Sequence, residues 1–160
     1  ILKSNGQEIS DCLYISNEKF EEIKSKYEIP KKGEILLTSV GTLGIPYLIQ
    51  DEEFYFKDGN LTWFKNFKYK SVNFYIYLWI KYCGGKKSLD EIVIGSTQKA
   101  LTINALKNIK IIFSEEIIKD FVKRVSIIME QIQQNQQQNQ TLKQQRDTLL
   151  PKLMSGEIRV

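Results

Sequence analysis

The hydrophobic and polar positions divide this chain into two parts with different periods. Up to Phe113, short apolar runs alternate with turn residues, whereas residues 115–150 contain no glycine or proline. Frequent turn residues are typical of strand-and-turn segments, and an unbroken apolar rhythm is typical of a long helix. The sequence therefore predicts an α/β (α+β) domain over residues 1–113, a helix over 114–150 and a tail over 151–160.

Two helices are predicted within the first part. One runs from Lys19 to Tyr27, with Ser16 or Asn17 supplying the capping oxygen. The other is Phe74–Tyr82, a nearly continuous apolar run that ends before a pair of glycines. Between the two helices, β-prone runs separated by turns predict a meander of four short strands: Glu34–Ser39, Pro46–Gln50, Glu53–Lys57 and Leu61–Phe64.

The last segment of the first part follows a polar turn at Gly95–Gln98. It begins with Ala100–Ile103 and continues into a helical turn at Asn104–Asn108. The apolar residues after this turn predict a final strand at Ile109–Phe113.

Apolar positions in the second part recur at alternating spacings of three and four residues, which is the pattern of a coiled-coil seam. Ser114 and the two glutamates after it favour a helix start, and Pro151 is expected to stop the helix. A rod of about 50 Å is too long for one small domain to cover, so the seam predicts a partner helix. The seam positions are Ile118, Phe121, Val125, Ile128, Ile132, Asn135, Asn139, Leu142, Arg146 and Leu149.

A glutamine-rich stretch interrupts the apolar seam. Between Gln131 and Gln145, 9 of 15 residues are Gln and 2 are Asn. Such a composition is also typical of low-complexity segments, but the heptad that runs through it favours a helix. Asn135 and Asn139 are therefore predicted to select the register and the number of partner helices.

Charge is unevenly distributed along the chain, although the net charge is only +4. Residues 1–64 carry a net charge of −4, whereas residues 65–114 carry 9 Lys and only two acids, Asp90 and Glu91, for a net charge of +7. A positive field of this density favours a polyanionic partner. The alternative interpretation is a solvated lysine-rich surface.

Several kinds of chemistry are excluded by composition. The chain has no histidine, which removes Ser-His-Asp hydrolysis and histidine-based zinc sites. Cys12 and Cys83 are far apart and predict neither a disulfide framework nor a metal site. Asp11 and Glu22 offer a nuclease-like carboxylate pair, but Glu22 is interpreted as part of a solvated helix surface. We therefore expect no catalytic residue, no metal and no cofactor.

The ends and the hydropathy of the chain bear on its location. No signal peptide is recognised, and no apolar stretch is long enough to cross a membrane. The chain is therefore expected to be cytoplasmic with no membrane partner. Because it begins at Ile1, within an apolar pattern, we expect it to be a truncated form of a longer protein.

Three segments carry a resemblance to a known family. The C-terminal run LKQQRDTLLPKLMSGEI (142–158), the run KGEILLTSVGTLG (32–44) and the run GSTQKAL (95–101) resemble segments of type I restriction-modification specificity (S) subunits. Together the matches span about residues 15–158. The chain departs from the family in lacking a proline before the long helix and a tryptophan-led N-terminal segment.

The resemblance implies a non-catalytic component that reads double-stranded DNA. In a full S subunit, two recognition domains are held apart by two antiparallel helices, and this chain resembles one domain with one helix. It implies that the domain reads half of a split target. The helix is expected to dock the modification (methyltransferase) subunits and, through the complex, the restriction subunit. Its helix partner is expected to be a second recognition half or, in a homodimer, a second copy.

DNA contacts are predicted on two loops and on a set of lysines. Gln98 is a candidate to pair with adenine and Lys99 to contact a phosphate; the alternative is that both loops are structural turns. The first loop offers Thr38, Ser39, Gly41, Thr42 and Gly44. The second offers Ser96, Thr97, Gln98 and Lys99. The phosphate candidates are Lys65, Lys68, Lys70, Lys86 and Lys87.

A different class of function also fits the pattern. The chain is then a protein-interaction module that oligomerises through its helix, with the lysine-rich domain binding an acidic protein. Sequence-selective and salt-dependent duplex binding separates the two hypotheses, because phosphate contacts release counterions.

Overall fold

The computed structural model describes residues 14–56, 59–69, 71–95 and 99–158. The chain forms two compact units, Ile1–Ile118 and Lys119–Val160. The first is a mixed α+β unit, as predicted. Its elements are α1 (Asn17–Lys26), β1 (Ile35–Thr38), β2 (Pro46–Leu48), β3 (Leu61–Phe64), α2 (Val72–Tyr82), α3 (Gly85–Glu91) and α4 (Ile103–Lys107), and it also contains the start of α5 (Glu115–Met154).

The three strands form an antiparallel sheet with β1 in the centre, in the order β2-β1-β3. Ile35 pairs with Leu48 on one side and with Phe64 on the other. All four residues of β1 are buried, and β1 is hydrogen-bonded to a strand on each of its edges. Strand β1 therefore supplies the most deeply buried side chains of the unit.

The predicted helix α1 and its cap are confirmed. Ser16 Oγ accepts a hydrogen bond from the Lys19 amide over 3.2 Å, which satisfies one of the free amides of the first turn. None of the residues of α1 is fully buried. Exposed ion pairs connect α1 to the rest of the unit, such as the pair between Lys24 and Glu53 over 3.0 Å.

Helix α2 is confirmed, and α3 follows it almost directly. A Cβ at Gly85 would lie 2.7 Å from Ile80 Cα and 2.7 Å from Trp79 Cε3, so only glycine fits where α3 begins. The close approach brings Leu89 of α3 into a core cluster with Leu37, Ile80 and Leu101. Helix α3 was not predicted, because the sequence around Gly85 has the composition of a turn.

Two predicted strands are wrong. Residues 52–56 have no strand conformation: Tyr47 Oη donates to Glu52 Oε1 over 2.6 Å, and Phe56 packs edge-on against Trp63 instead of pairing with a neighbour. Residues 109–113 are irregular as well. There the carbonyl oxygen of Ile112 accepts from Tyr75 Oη over 3.0 Å, so a side chain takes the place of a neighbouring strand.

The predicted helical turn near Asn104 is confirmed as α4. The side chain of Thr102 caps it by accepting from the Ala105 amide over 3.2 Å. Helix α5 begins where predicted, with the Ile118 amide donating to the Ser114 carbonyl oxygen over 2.9 Å.

Pro151 does not stop α5, contrary to the prediction. The helix continues through it to Met154, although a proline at this position removes one backbone N–H donor and crowds the carbonyl oxygen four residues earlier. Gly156 follows the end of the helix with a φ of +73°, and the Glu157 amide donates to the Lys152 carbonyl oxygen over 3.0 Å.

The structure changes the interpretation of Ile118. Its side chain is only 3% exposed, and it is the last residue of the first unit, so it is a core residue of that unit rather than a contact for a partner helix. Among the described residues, no helix is both long and apolar enough to cross a membrane.

Candidate nucleic-acid interface

The structure brings the two predicted DNA-contacting loops together. The Leu101 amide donates to the Ser39 carbonyl oxygen over 2.9 Å, and Val40 forms an isolated antiparallel bridge with Ala100. The first loop (residues 39–44) and the ends of the second (residues 94–95 and 99–101) therefore share one edge beyond β1, and we call residues 39–44 and 94–101 the paired loops. Their proximity was not predicted from the sequence.

The second of the paired loops is closed at its base by backbone bonds. The Ile94 amide donates to the Ala100 carbonyl oxygen over 3.1 Å, and the Ala100 amide donates to the Ile94 carbonyl oxygen over 2.9 Å. This reciprocal pair joins the two ends of the segment from Gly95 to Lys99, which we call the tip. Three of the candidates on that tip, Ser96, Thr97 and Gln98, lie outside the described residues, and Lys99 is exposed.

Thr38 and Ser39 are interior residues, which corrects their prediction as DNA contacts. They are 9% and 4% exposed. Thr38 Oγ1 accepts from the Ile45 amide over 2.9 Å, and Ser39 Oγ lies 2.5 Å from Thr62 Oγ1 of β3. Because both hydroxyls are buried and bonded, they hold the first loop in place and do not reach a base edge.

The remaining candidates of the first loop differ in exposure. Gly41 and Thr42 are exposed, whereas Gly44 is buried. A Cβ at Gly44 would lie 3.0 Å from Lys86 Cδ and 3.3 Å from Leu89 Cδ1. Its φ of +72° also favours glycine. Gly44 thus allows α3 to pack against the first loop, and Thr42 is the exposed polar side chain of that loop.

The predicted phosphate-binding lysines fall into two groups. Lys65 pairs with Glu28 and lies over the Trp63 ring at 4.4 Å, and Lys86 pairs with Asp90. The hydrogen bond from Lys65 is also the main reason that the pKa of Glu28 is lowered. These carboxylates partly neutralise the charge that Lys65 and Lys86 offer to a phosphate.

The other lysines are freer. Lys87 and Lys99 are exposed and have no carboxylate partner within the described part of the chain. Lys68 lies 5.3 Å from the centre of the Tyr69 ring. Lys70 lies outside the described residues. Lys87 and Lys99 are therefore the best-placed phosphate contacts among the described candidates.

One basic residue near the core escaped the sequence analysis. Lys81 of α2 is half-buried, and its Nζ donates to Tyr77 Oη over 2.8 Å. Burial lowers the pKa of Lys81, and burial raises the pKa of Tyr77 to about 12. The spacing of four residues between Tyr77 and Lys81 on a helix was a signal for this contact.

The seam of α5 is open to solvent over most of its length. Ile128 and Leu142 are 55% and 60% exposed, and Asn135 and Asn139 are exposed as well. Phe121 and Val125 are half-buried. Arg146 Nη2 pairs with the adjacent Asp147 over 2.5 Å.

Within the described parts of the chain, no group of three or more His, Cys, Asp or Glu residues is arranged to hold a metal ion.

Comparison with known proteins gives a family for this arrangement. Residues 3–144 match the family described as the type I restriction modification DNA specificity domain. Because the match covers most of the chain, the chain belongs to this family. The family recognises DNA sequence and is non-catalytic, so the resemblance stated from the three sequence segments is confirmed.

A curated relative agrees with this assignment. The chain is 40% identical over 98 residues to a protein of Haemophilus influenzae named "Putative type I restriction enzyme specificity subunit S.HindORF215P". The aligned region is 61% of this chain and 24% of that protein, so the chain spans about a quarter of the relative's length. No solved structure matches the chain significantly.

Proposed function

We propose that this chain reads one half of a split DNA target and that α5 holds it in a modification complex. The observation that carries the proposal is the hydrogen bond from the Leu101 amide to the Ser39 carbonyl oxygen, which joins the paired loops at one edge. Sequence reading requires several side chains that converge on neighbouring base edges, and two adjoining loops supply them.

The exposed side chains of the paired loops have distinct roles in this proposal. Thr42 and the tip residues Ser96, Thr97 and Gln98 contact base edges, and Gln98 is suited to a bidentate contact with adenine. Lys99 contacts a phosphate at the same edge. Lys87 contacts a second phosphate from α3, which packs against the first loop through Gly44 and Lys86.

Helix α5 is the proposed assembly element. Helix α5 is 40 residues long and exposes a stripe of seam residues. A partner helix would cover this stripe, because the exposure of apolar side chains to water is unfavourable. We propose that the seam binds another helix of a specificity subunit. The modification (methyltransferase) subunits then contact that helix pair, and the restriction subunit joins through the complex.

The test is a selection from random duplex DNA by the full chain together with a matching modification subunit, read at two salt concentrations. The expected result is a short enriched motif and a steep loss of binding at the higher salt concentration, because neutralised phosphates release counterions. An intact complex that enriches no motif would contradict half-target recognition. That outcome would favour the protein-interaction module instead.

A further inference from the structure

A turn before β3 meets the paired loops at Ser39. Gly59 and Asn60 form this turn, and Asn60 directly precedes the first residue of β3. The Ser39 amide donates to the Asn60 carbonyl oxygen over 2.7 Å, while the Ser39 carbonyl oxygen accepts from the Leu101 amide over 2.9 Å. The backbone of one residue therefore joins three chain segments at the same end of the sheet.

The sheet register explains why the turn at Gly59 and Asn60 lies at this end. Strand β3 runs antiparallel to β1, with Leu61 opposite Thr38. Asn60 thus adjoins the end of β1 from which the first of the paired loops leaves. Strand β3 spans about 10 Å from its first to its last residue, at about 3.3 Å per residue, so Asn66 lies beyond the far end.

The turn is open to solvent. Gly59 and Asn60 are both exposed. A Cβ at Gly59 would meet no atom within 4 Å among the described residues beyond its immediate neighbours. The turn therefore has space in front of it that a base edge could occupy.

The backbone does not require asparagine at position 60. Among the described residues other than glycine, a positive φ occurs only at Asn66, with 56°, and at Ser71, with 66°. Asparagine adopts this left-handed conformation more readily than most residues, which gives Asn66 a conformational role. Asn60 does not adopt it, so this constraint does not apply there.

We propose that Asn60 is a specificity-determining residue that contacts an adenine of the DNA target. The inference rests on the proposed function and adds a third segment to the paired loops. An asparagine amide has an NH2 group that can donate to adenine N7 and an Oδ1 that can accept from the N6 amine in the major groove. Because the Asn60 backbone is bonded to Ser39, this adenine adjoins the bases that the paired loops contact.

The test is the selection from random duplex DNA by the full chain with a matching modification subunit, repeated with three variants. Asn60→Ala removes the side-chain amide and keeps the backbone carbonyl that holds Ser39. Asn60→Asp replaces the amide by a carboxylate, which accepts from cytosine N4 and cannot donate to adenine N7. Asn66→Gly is the matched control, because it removes an exposed amide at the other end of β3 and glycine tolerates the positive φ.

The expected result is confined to one position of the enriched motif. The parent prefers adenine there by at least about fivefold, which is the lower limit for a good bidentate contact. Asn60→Ala is expected to lose this preference and to leave the other positions and the salt dependence unchanged. Asn60→Asp is expected to shift the position towards cytosine, and Asn66→Gly is expected to keep the parent motif.

Two outcomes would overturn this inference alone. One is a parent motif that both Asn60 variants leave unchanged. The other is a uniform loss of binding to all sequences by Asn60→Ala, because that loss indicates a structural role for the side chain. A parent complex that enriches no motif would instead overturn the proposed function, and this inference with it.

Discussion

Ser39 and Leu101 come from distant parts of the sequence, and the backbone bond between them joins β1 to the loop that precedes α4. The carbonyl oxygen of Ser39 accepts from the Leu101 amide, while its side chain reaches Thr62 of β3. One buried residue thus connects the sheet to both of the paired loops. Changes to the contacts around it are expected to affect the stability of the unit before they affect base contacts.

Replacing Thr38 by valine is expected to destabilise the first unit by about 1–3 kcal/mol, because the buried Ile45 amide loses the Thr38 Oγ1 acceptor. Urea unfolding followed by tryptophan fluorescence measures this change. The matched control is Thr42→Val, which changes an exposed threonine of the same loop and is expected to stay within about 0.5 kcal/mol of the parent. Equal effects of the two substitutions would contradict the assignment of Thr38 as a structural residue.

Replacing Gly85 by alanine is expected to lower the free energy of unfolding by about 1–3 kcal/mol. The added Cβ would meet Ile80 Cα and the Trp79 ring at 2.7 Å, and backbone contacts of this kind relieve poorly. Thermal unfolding of Gly85→Ala and Gly59→Ala makes the comparison, because a Cβ at Gly59 has open space around it. An unchanged Tm for Gly85→Ala would mean that α3 does not approach α2 so closely.

Replacing Lys99 or Lys87 by alanine is expected to weaken duplex binding and to reduce the slope of log affinity against log salt by about 1 each. Lys65→Ala serves as the control and is expected to change the slope less, because Glu28 already pairs with that charge. Fluorescence anisotropy at a series of salt concentrations, with the modification subunit present, gives these slopes. A larger effect of Lys65→Ala than of Lys99→Ala would move the proposed DNA surface away from the paired loops.

Stability is expected to fall as the pH rises from about 10 towards 12, because burial raises the pKa of Tyr77 to about 12 in the folded state. An acid whose pKa is raised by folding stabilises the fold fully below its unfolded pKa of about 10, and this contribution is lost as the pH passes through the folded pKa. The loss amounts to about 2–3 kcal/mol. Urea unfolding at pH 9, 10.5 and 12 measures it.

Tyr77→Phe is the variant that isolates this group. Phenylalanine keeps the buried ring but cannot ionise, so the fall in stability between pH 10 and 12 is expected to be smaller than in the parent. Burial lowers the pKa of Lys81, which changes stability in the opposite direction and only below the usual pKa near 10.5, outside most of this interval. A pH dependence that is identical in the two proteins would argue against a buried Tyr77 hydroxyl.

Local sequence signals were sufficient for several elements. Ser16 lies at a helix start where its side-chain oxygen bonds to a nearby amide, and such a bond depends only on neighbours in the sequence. Helix α2 followed from its length and apolar composition. The family resemblance also came from short segments, and the comparisons confirmed it.

Signals that depend on distant residues were missed. Glu53–Lys57 and Ile109–Phe113 have β-prone residues, but a strand also needs a neighbour to pair with, and the sequence does not show whether one is present. Thr38 and Ser39 look like exposed loop hydroxyls until β3 places Thr62 beside Ser39. The pairing of Lys65 with Glu28 likewise joins residues that are 37 positions apart, so its reduced availability to DNA was not visible from the sequence.

The two backbone hydrogen bonds between Ile94 and Ala100 bear on which positions of this loop can change in sequence. The bonds that hold this loop in place come from main-chain atoms at its base, which every amino acid except proline supplies equally. Substitutions between these two anchors are therefore expected to leave both bonds intact, except at Gly95, whose φ of +99° favours glycine. Under the proposed function, the DNA target can therefore change through the residues between Gly95 and Ala100 while the backbone bonds at the base of the loop are kept.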